Sequence, residues 1–172
     1  MAKTLYTFLI LGLAAVSALG QSPRVEGLGL PAAHADGPVK NVVLFVFPEQ
    51  VTVPAGKSTT VALHFRVAPG LHINSHNPKD EFLIPTTFSI PEGAGVKLDQ
   101  ATYPAGTEMT LPLDPKTRLS VYTGDFTLQA RITATPGDHL VEAKLRYQAC
   151  DNHACMPPKT IAVAMDVRGN RE

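Results

Sequence analysis

Two cysteines, Cys150 and Cys155, stand in the stretch RYQACDNHACMPPKT (146–160) of this 172-residue chain, in a C-x4-C spacing with His153 between them and Met156-Pro157-Pro158 just after. Three chemistries place two sulfurs this close. A stapling disulfide is the first, but a ring this small contributes only about 2 kcal/mol on chain-entropy arithmetic, and a useful staple joins distant segments. A metal site is the second. Cys150, His153, Cys155 and Met156 form a soft donor set that suits copper, and His72 and His76 of GLHINSHNP could join it; the spacing fits no zinc pattern. The third is a redox pair, because small, accessible disulfides are the labile ones. His153 is the nearest side chain able to favour a thiolate, although a loop position equally makes it a plain exposed residue. The residues alone leave these three open. A hydrolytic triad drawn from Ser75, His72 and Asp80 is weaker, because no G-x-S-x-G elbow accompanies it.

The elements that must position the sulfurs read as strands. Val61, Leu63, Phe65 and Val67 alternate with polar residues, as do Phe126 to Ile132, Val141 to Ala149 and Ile161 to Val167. A period of two puts one set in a core and the other in water. The apolar runs Val42–Phe47 and Pro85–Ile90 add two more strands. Turn residues separate the runs at Pro54-Ala55-Gly56, Pro69-Gly70, Pro91-Glu92-Gly93 and Pro136-Gly137-Asp138. No helical period appears after residue 20. Seven or eight short strands predict an all-β fold, an immunoglobulin-like antiparallel β-sandwich. Leu140–Ala149 and Thr160–Val167 then flank the cysteines, which fall at one end of the sandwich, where loops cluster and sites are built. Strict alternation would turn Cys150 outward, but the strand is ending there. Cys155, past four loop residues and beside the rigid prolines, is expected to be the more exposed sulfur.

The N-terminus reads as a secretory signal peptide over 1–20: Lys3, an apolar run from Leu5 to Val16, then the small residues of Ala18-Leu19-Gly20 before Gln21. Ala33-His34-Ala35 is a second, more distant small-x-small site. The run is shorter than the ~20 residues a spanning helix needs, so no membrane span is expected after cleavage. Residues 21–38, rich in Gly, Pro and Ala without a period, read as a flexible leader to a domain at 39–169. Export implies a compartment where disulfides persist. The formal net charge of +0 gives no electrostatic case for nucleic acid. A monomer is expected.

The segment YQACDNHACMPP (147–158) resembles the active-site hairpin of the N-terminal periplasmic domain of DsbD, the thiol–disulfide reductase, whose pattern is Tyr-Gln-small-Cys, a short spacer and Cys-x-Pro-Pro. VAPGLHINS (67–75) is similar to the family's site-lining strand, and LSVYTGDFTLQARI (119–132) to its later strand pair. The resemblance implies an immunoglobulin-like fold and a periplasmic dithiol–disulfide shuttle of the kind that serves cytochrome c biogenesis, without a cofactor or bound metal. It implies that Cys155 forms the mixed disulfide and Cys150 resolves it, with thioredoxin-like proteins as partners. Tyr147, His72, Asn74 and His153 are its candidate site-lining residues. This sequence departs from the family in four ways. The spacer is four residues rather than five. The cap region Leu111–Lys116 has no aromatic. His72 and Asn74 stand where members carry tyrosines. The 172 residues hold neither a multi-helix membrane segment nor a terminal thioredoxin-like domain, so a separate membrane electron donor is expected. The alternative is a copper-binding or non-catalytic interaction sandwich with the cysteines as ligands or a staple.

Overall fold

Residues 41–46, 50–112 and 114–171 are described by a computed structural model, so the expected signal peptide and leader lie outside the described residues. The alternating sequences become twelve strands: β1 (Val43–Val46), β2 (Val51–Pro54), β3 (Thr59–Val67), β4 (His72–Asn74), β5 (Thr87–Ser89), β6 (Val96–Thr102), β7 (Thr107–Leu111), β8 (Asp114–Tyr122), β9 (Asp125–Ala134), β10 (Gly137–Tyr147), β11 (Ala149–Cys150) and β12 (Lys159–Asn170). No helix occurs among the described residues. The strands form three four-stranded sheets, ordered β1-β3-β9-β6, β2-β12-β10-β5 and β11-β4-β8-β7. All pairings are antiparallel except β2 with β12, which run parallel. The fold is an immunoglobulin-like β-sandwich, as the alternation predicts, with more strands than the seven or eight expected.

The core is built from the apolar half of each alternation. Leu63 and Phe65 of β3, Leu128 and Ile132 of β9, Ala143 and Leu145 of β10, and Val163 and Val167 of β12 are all sealed from solvent. Burying a side chain such as Leu63 or Leu128 stabilises the fold by about 1.5–3 kcal/mol. Ile73 and Tyr122 carry the third sheet into the same cluster. An aromatic line ties the first sheet to the third: Phe65 stacks on Phe126 at 5.2 Å, and Phe126 on Tyr122 at 4.8 Å.

The path of the chain past β10 sets up the site. β10 pairs with β12 through Tyr147, opposite Lys159. At Gln148 the chain leaves that sheet and joins the third, where Ala149 pairs with Ile73 and Cys150 with His72. The expected single strand Leu140–Ala149 is therefore two, with a crossing at Gln148. The change of sheet also breaks the alternation. Ala149 and Cys150 are both buried, so Cys150 does not point outward as strict alternation would have it. Gly70 (φ 78°), in the turn before β4, adopts a left-handed backbone that L side chains rarely take, and this turn brings His72 into register.

Candidate functional site

Cys150 and Cys155 form a disulfide across a tight hairpin, with an S–S distance of 2.04 Å and a Cα–Cα distance of 3.9 Å. The Met156 amide donates to the Ala149 carbonyl at 2.8 Å, and the Asp151 amide to the Ala154 carbonyl at 3.0 Å. These bonds flank the cysteines, which occupy a non-hydrogen-bonded pair, the position where opposite side chains come closest. Cys150 is 3% exposed, whereas Cys155 is exposed. The reason is topological: β4 covers one side of Cys150, while Cys155 lies on the outer side of the hairpin, and the residues after it, Met156, Pro157 and Pro158, belong to no strand.

Asp151 closes the turn. Its Oδ1 accepts from the amides of His153 at 2.6 Å and Ala154 at 2.7 Å. Those two bonds hold its carboxyl below the usual carboxylate range. Sequence reasoning passed over Asp151, although an Asp opening a loop is the signal for such a side-chain turn.

His72, opposite Cys150, is 3% exposed. Desolvation pushes its imidazole below the ordinary value, against the opposing pull of the nearby Asp151 charge. It borders an open groove of about 540 Å³ with Leu71, Met109, Gly124 and Asn152 on its walls. His153 is in the turn itself, with its side chain 78% exposed and Nδ1 3.9 Å from Asp151 Oδ1.

Asn74, 1% exposed, works through a bridging residue. Its Nδ2 donates to the Ile84 carbonyl at 3.1 Å and to Gln148 Oε1 at 3.2 Å. Gln148 Nε2 donates in turn to the Met156 carbonyl at 3.3 Å, and Ile84 N to Gln148 Oε1 at 3.3 Å. Gln148 thus braces the segment that carries Cys155 against the loop after β4. Tyr147 is placed differently. It is 1% exposed in the main core, its hydroxyl bonded to the Val43 backbone, and burial raises its pKa. The structure therefore brings His72 and His153 to the hairpin, puts Asn74 one hydrogen-bonded residue away, and packs Tyr147 into the sandwich.

The cap region Leu111–Lys116 falls where β7 passes into β8. Glu108 on β7 binds Lys79 from the loop after β4 and Arg118 on β8. Among the described residues no three of His, Cys, Asp and Glu come together as a set able to hold a metal ion. With both sulfurs in a disulfide, the copper set Cys150, His153, Cys155 and Met156 has no thiolate to offer. No described helix is long and apolar enough to cross a membrane.

A β-sandwich whose end carries a short hairpin disulfide, one sulfur sealed and the other exposed, defines an all-β thiol–disulfide domain. The family model described as "Thiol:disulfide interchange protein DsbD, N-terminal" matches residues 43–166, and the chain belongs to that family. Among solved structures, the reduced form of the Neisseria meningitidis DsbD N-terminal domain is similar at 19% identity, over 67% of this chain and 82% of that one, with a TM-score of 0.44. No curated protein gives a match.

Proposed function

We propose that this domain is a periplasmic thiol–disulfide exchange module that passes electrons to or from thioredoxin-like proteins through Cys150 and Cys155. The observation that carries the reading is the unequal exposure of two bonded sulfurs: an incoming thiolate can reach Cys155, and Cys150 is shielded. In the reducing direction on this domain, a partner thiolate attacks Cys155 Sγ, the Cys150–Cys155 bond breaks, and Cys150 leaves as a thiolate. The partner's second thiolate then attacks its own sulfur in the mixed disulfide and frees Cys155. Two electrons move, and the partner's dithiol becomes a disulfide. The reverse sequence reduces an oxidised partner, with Cys155 as the attacking sulfur and Cys150 as the resolving one. Membership in the DsbD family supports the periplasmic assignment, as do Lys3, the apolar run Leu5–Val16 and Ala18-Leu19-Gly20. On this reading residues 1–20 are removed on export, 21–38 are a leader, and 39–169 are a monomeric exchange domain.

The test is to mix single cysteine variants with an oxidised thioredoxin-fold protein and resolve the products on non-reducing gels. Cys150→Ser should trap the partner as a long-lived adduct through Cys155, and Cys155→Ser should trap little. Equal trapping by both would remove the division of roles. No trapping by either, with a reduction potential below about −300 mV, would make the bond an inert structural bridge instead.

A further inference from the structure

We infer that His72 is the proton acceptor for the Cys150 thiol in the step that resolves a mixed disulfide at Cys155, a role that rests on the exchange function proposed above.

His72 and Cys150 are directly opposite in the β4–β11 pairing. The pairing alternates: the Asn74 amide donates to the Gln148 carbonyl at 3.2 Å, which makes Ala149 and Ile73 a non-hydrogen-bonded pair and Cys150 and His72 the next, hydrogen-bonded one. Residues opposite each other in such a ladder project from the same face, with Cβ atoms about 4.5–5.5 Å apart. Ala149 and Ile73 join the main core; Cys150 and His72 share the other face. Both are 3% exposed, so the imidazole shares a shielded face with the less accessible of the two cysteines.

A buried histidine normally spends its ring nitrogens on protein partners. Among the described residues no hydrogen bond claims the His72 ring, whereas His64, His76 and His139 each bond through theirs. No buried side-chain nitrogen or oxygen is orphaned either, so the ring nitrogens keep a path to the groove that His72 borders. The site therefore holds a proton-carrying group, unengaged, next to a thiol that must lose its proton.

Burial favours a neutral ring, and the surrounding charges do little to reverse it. Burial lowers the His72 pKa, and Asp151 in the hairpin turn opposes that shift. From β3 and β9, Arg66 and Asp125 border the same groove, but they neutralise one another in a two-pronged pair at 2.6 and 3.1 Å. On β7, Glu108 is taken up by Lys79 and Arg118. On β8, the Tyr122 hydroxyl is occupied by the Pro104 carbonyl and the His76 amide. As Cys150 Sγ attacks Cys155 Sγ, the neutral imidazole takes the Cys150 proton in the same step; the Cys150–Cys155 bond forms, and the partner sulfur departs as a thiolate. The imidazolium formed returns its proton to water through the groove. In the opposite direction the imidazolium protonates Cys150 as that thiolate leaves.

The experiment uses the reduced protein and an aromatic disulfide, 5,5′-dithiobis(2-nitrobenzoate). Attack by Cys155 releases one coloured thiolate in a concentration-dependent phase. Attack by Cys150 on the mixed disulfide releases the second in a concentration-independent phase, which reads the step assigned to His72. An unassisted thiol of pKa near 8.5 is only about 3% thiolate at pH 7, so His72→Gln should slow the second phase by about 10–30-fold and leave the first unchanged. In the variant the second phase should climb about tenfold per pH unit between 6 and 8; in the unaltered protein it should be nearly flat there. Imidazole added to His72→Ala should restore much of the rate, which a packing role would not allow. The same second-phase rate and pH profile in His72→Gln as in the unaltered protein would overturn the assignment. Should neither variant fold, a tenfold-per-unit climb in the unaltered protein would overturn it as well. A missing second phase in the unaltered protein would remove the exchange function itself, and the role of His72 with it.

Discussion

Asn74 Nδ2 donates to Gln148 Oε1 at 3.2 Å, and the other end of the Gln148 amide donates to the Met156 carbonyl, one residue past Cys155. A buried side chain on β4 thereby fixes, through one glutamine, the segment that presents the exposed sulfur. Asn74→Ala should cost about 1 kcal/mol, because it strips one donor from each of two half-buried acceptors, the Ile84 carbonyl and Gln148 Oε1. The check is a urea unfolding curve with a lower midpoint and an unchanged slope. Gln148→Ala should in addition speed reduction of the disulfide by dithiothreitol, since the segment carrying Cys155 loses its brace.

Reduction should leave the sandwich standing. The disulfide closes a small ring, worth about 2 kcal/mol, while the core is a broad cluster drawn from all three sheets. The reduced protein should keep its β-type circular dichroism and unfold at a somewhat lower urea concentration than the oxidised form. Loss of the fold on reduction would mark the bond as a staple.

How much of this was legible follows from what each segment buries. β12 shows a strict alternation of exposed and sealed residues, as do β3, β9 and β10, and all four are plain in the sequence. β6 was not, because a register shift between Leu98 and Gln100 interrupts its period. β7 and the start of β8 bury almost nothing and pair as a polar hairpin, laced by the Glu108 contacts, so hydrophobic pattern could not find them. β4 is too short for any period, and only its likeness to a known family pointed to it. At the site, the spacing of the two cysteines announced the chemistry. The brace at Gln148 joins positions 74, 84, 148 and 156, which are distant in sequence, and the burial of Cys150 depends on a change of sheet that no local pattern records.

Tyr147 is packed in the core, 1% exposed, and its hydroxyl is bonded to the Val43 backbone. Tyr147→Phe should therefore cost about 1 kcal/mol, the net worth of one buried hydrogen bond. It should leave the rate of exchange with a thioredoxin-fold protein unchanged. A large drop in that rate with stability intact would return Tyr147 to the site.

The hairpin turn should loosen in acid. Asp151 accepts two amide hydrogen bonds as a carboxylate, and its folded pKa is depressed. Its contribution is thus present above the unfolded value of about 3.9 and is lost as pH falls through the lower folded value. Protection of the His153 and Ala154 amides, relative to the intrinsic exchange rate at each pH, should fall in that window, and Asp151→Ala should show the lower protection already at neutral pH.

His72 acts in a different pH range and with its own sign. Its folded pKa is depressed by burial, so between that value and the unfolded value of about 6.5 the unfolded chain binds more protons than the folded one. Stability in that interval rises with pH: the contribution is complete above about 6.5 and is lost as pH falls through the folded value. The oxidised domain should accordingly lose stability as pH drops below about 6.5, well before Asp151 protonates. Comparison with His72→Gln isolates this share, because every other titrating group is common to both proteins. The measurement is the difference in unfolding free energy between the two at a series of pH values from 7 to 5. A difference that stays constant on acidification, or moves in favour of the unaltered protein, would mean that His72 is not held neutral by burial; one that moves in favour of the glutamine variant as pH falls is the expected result.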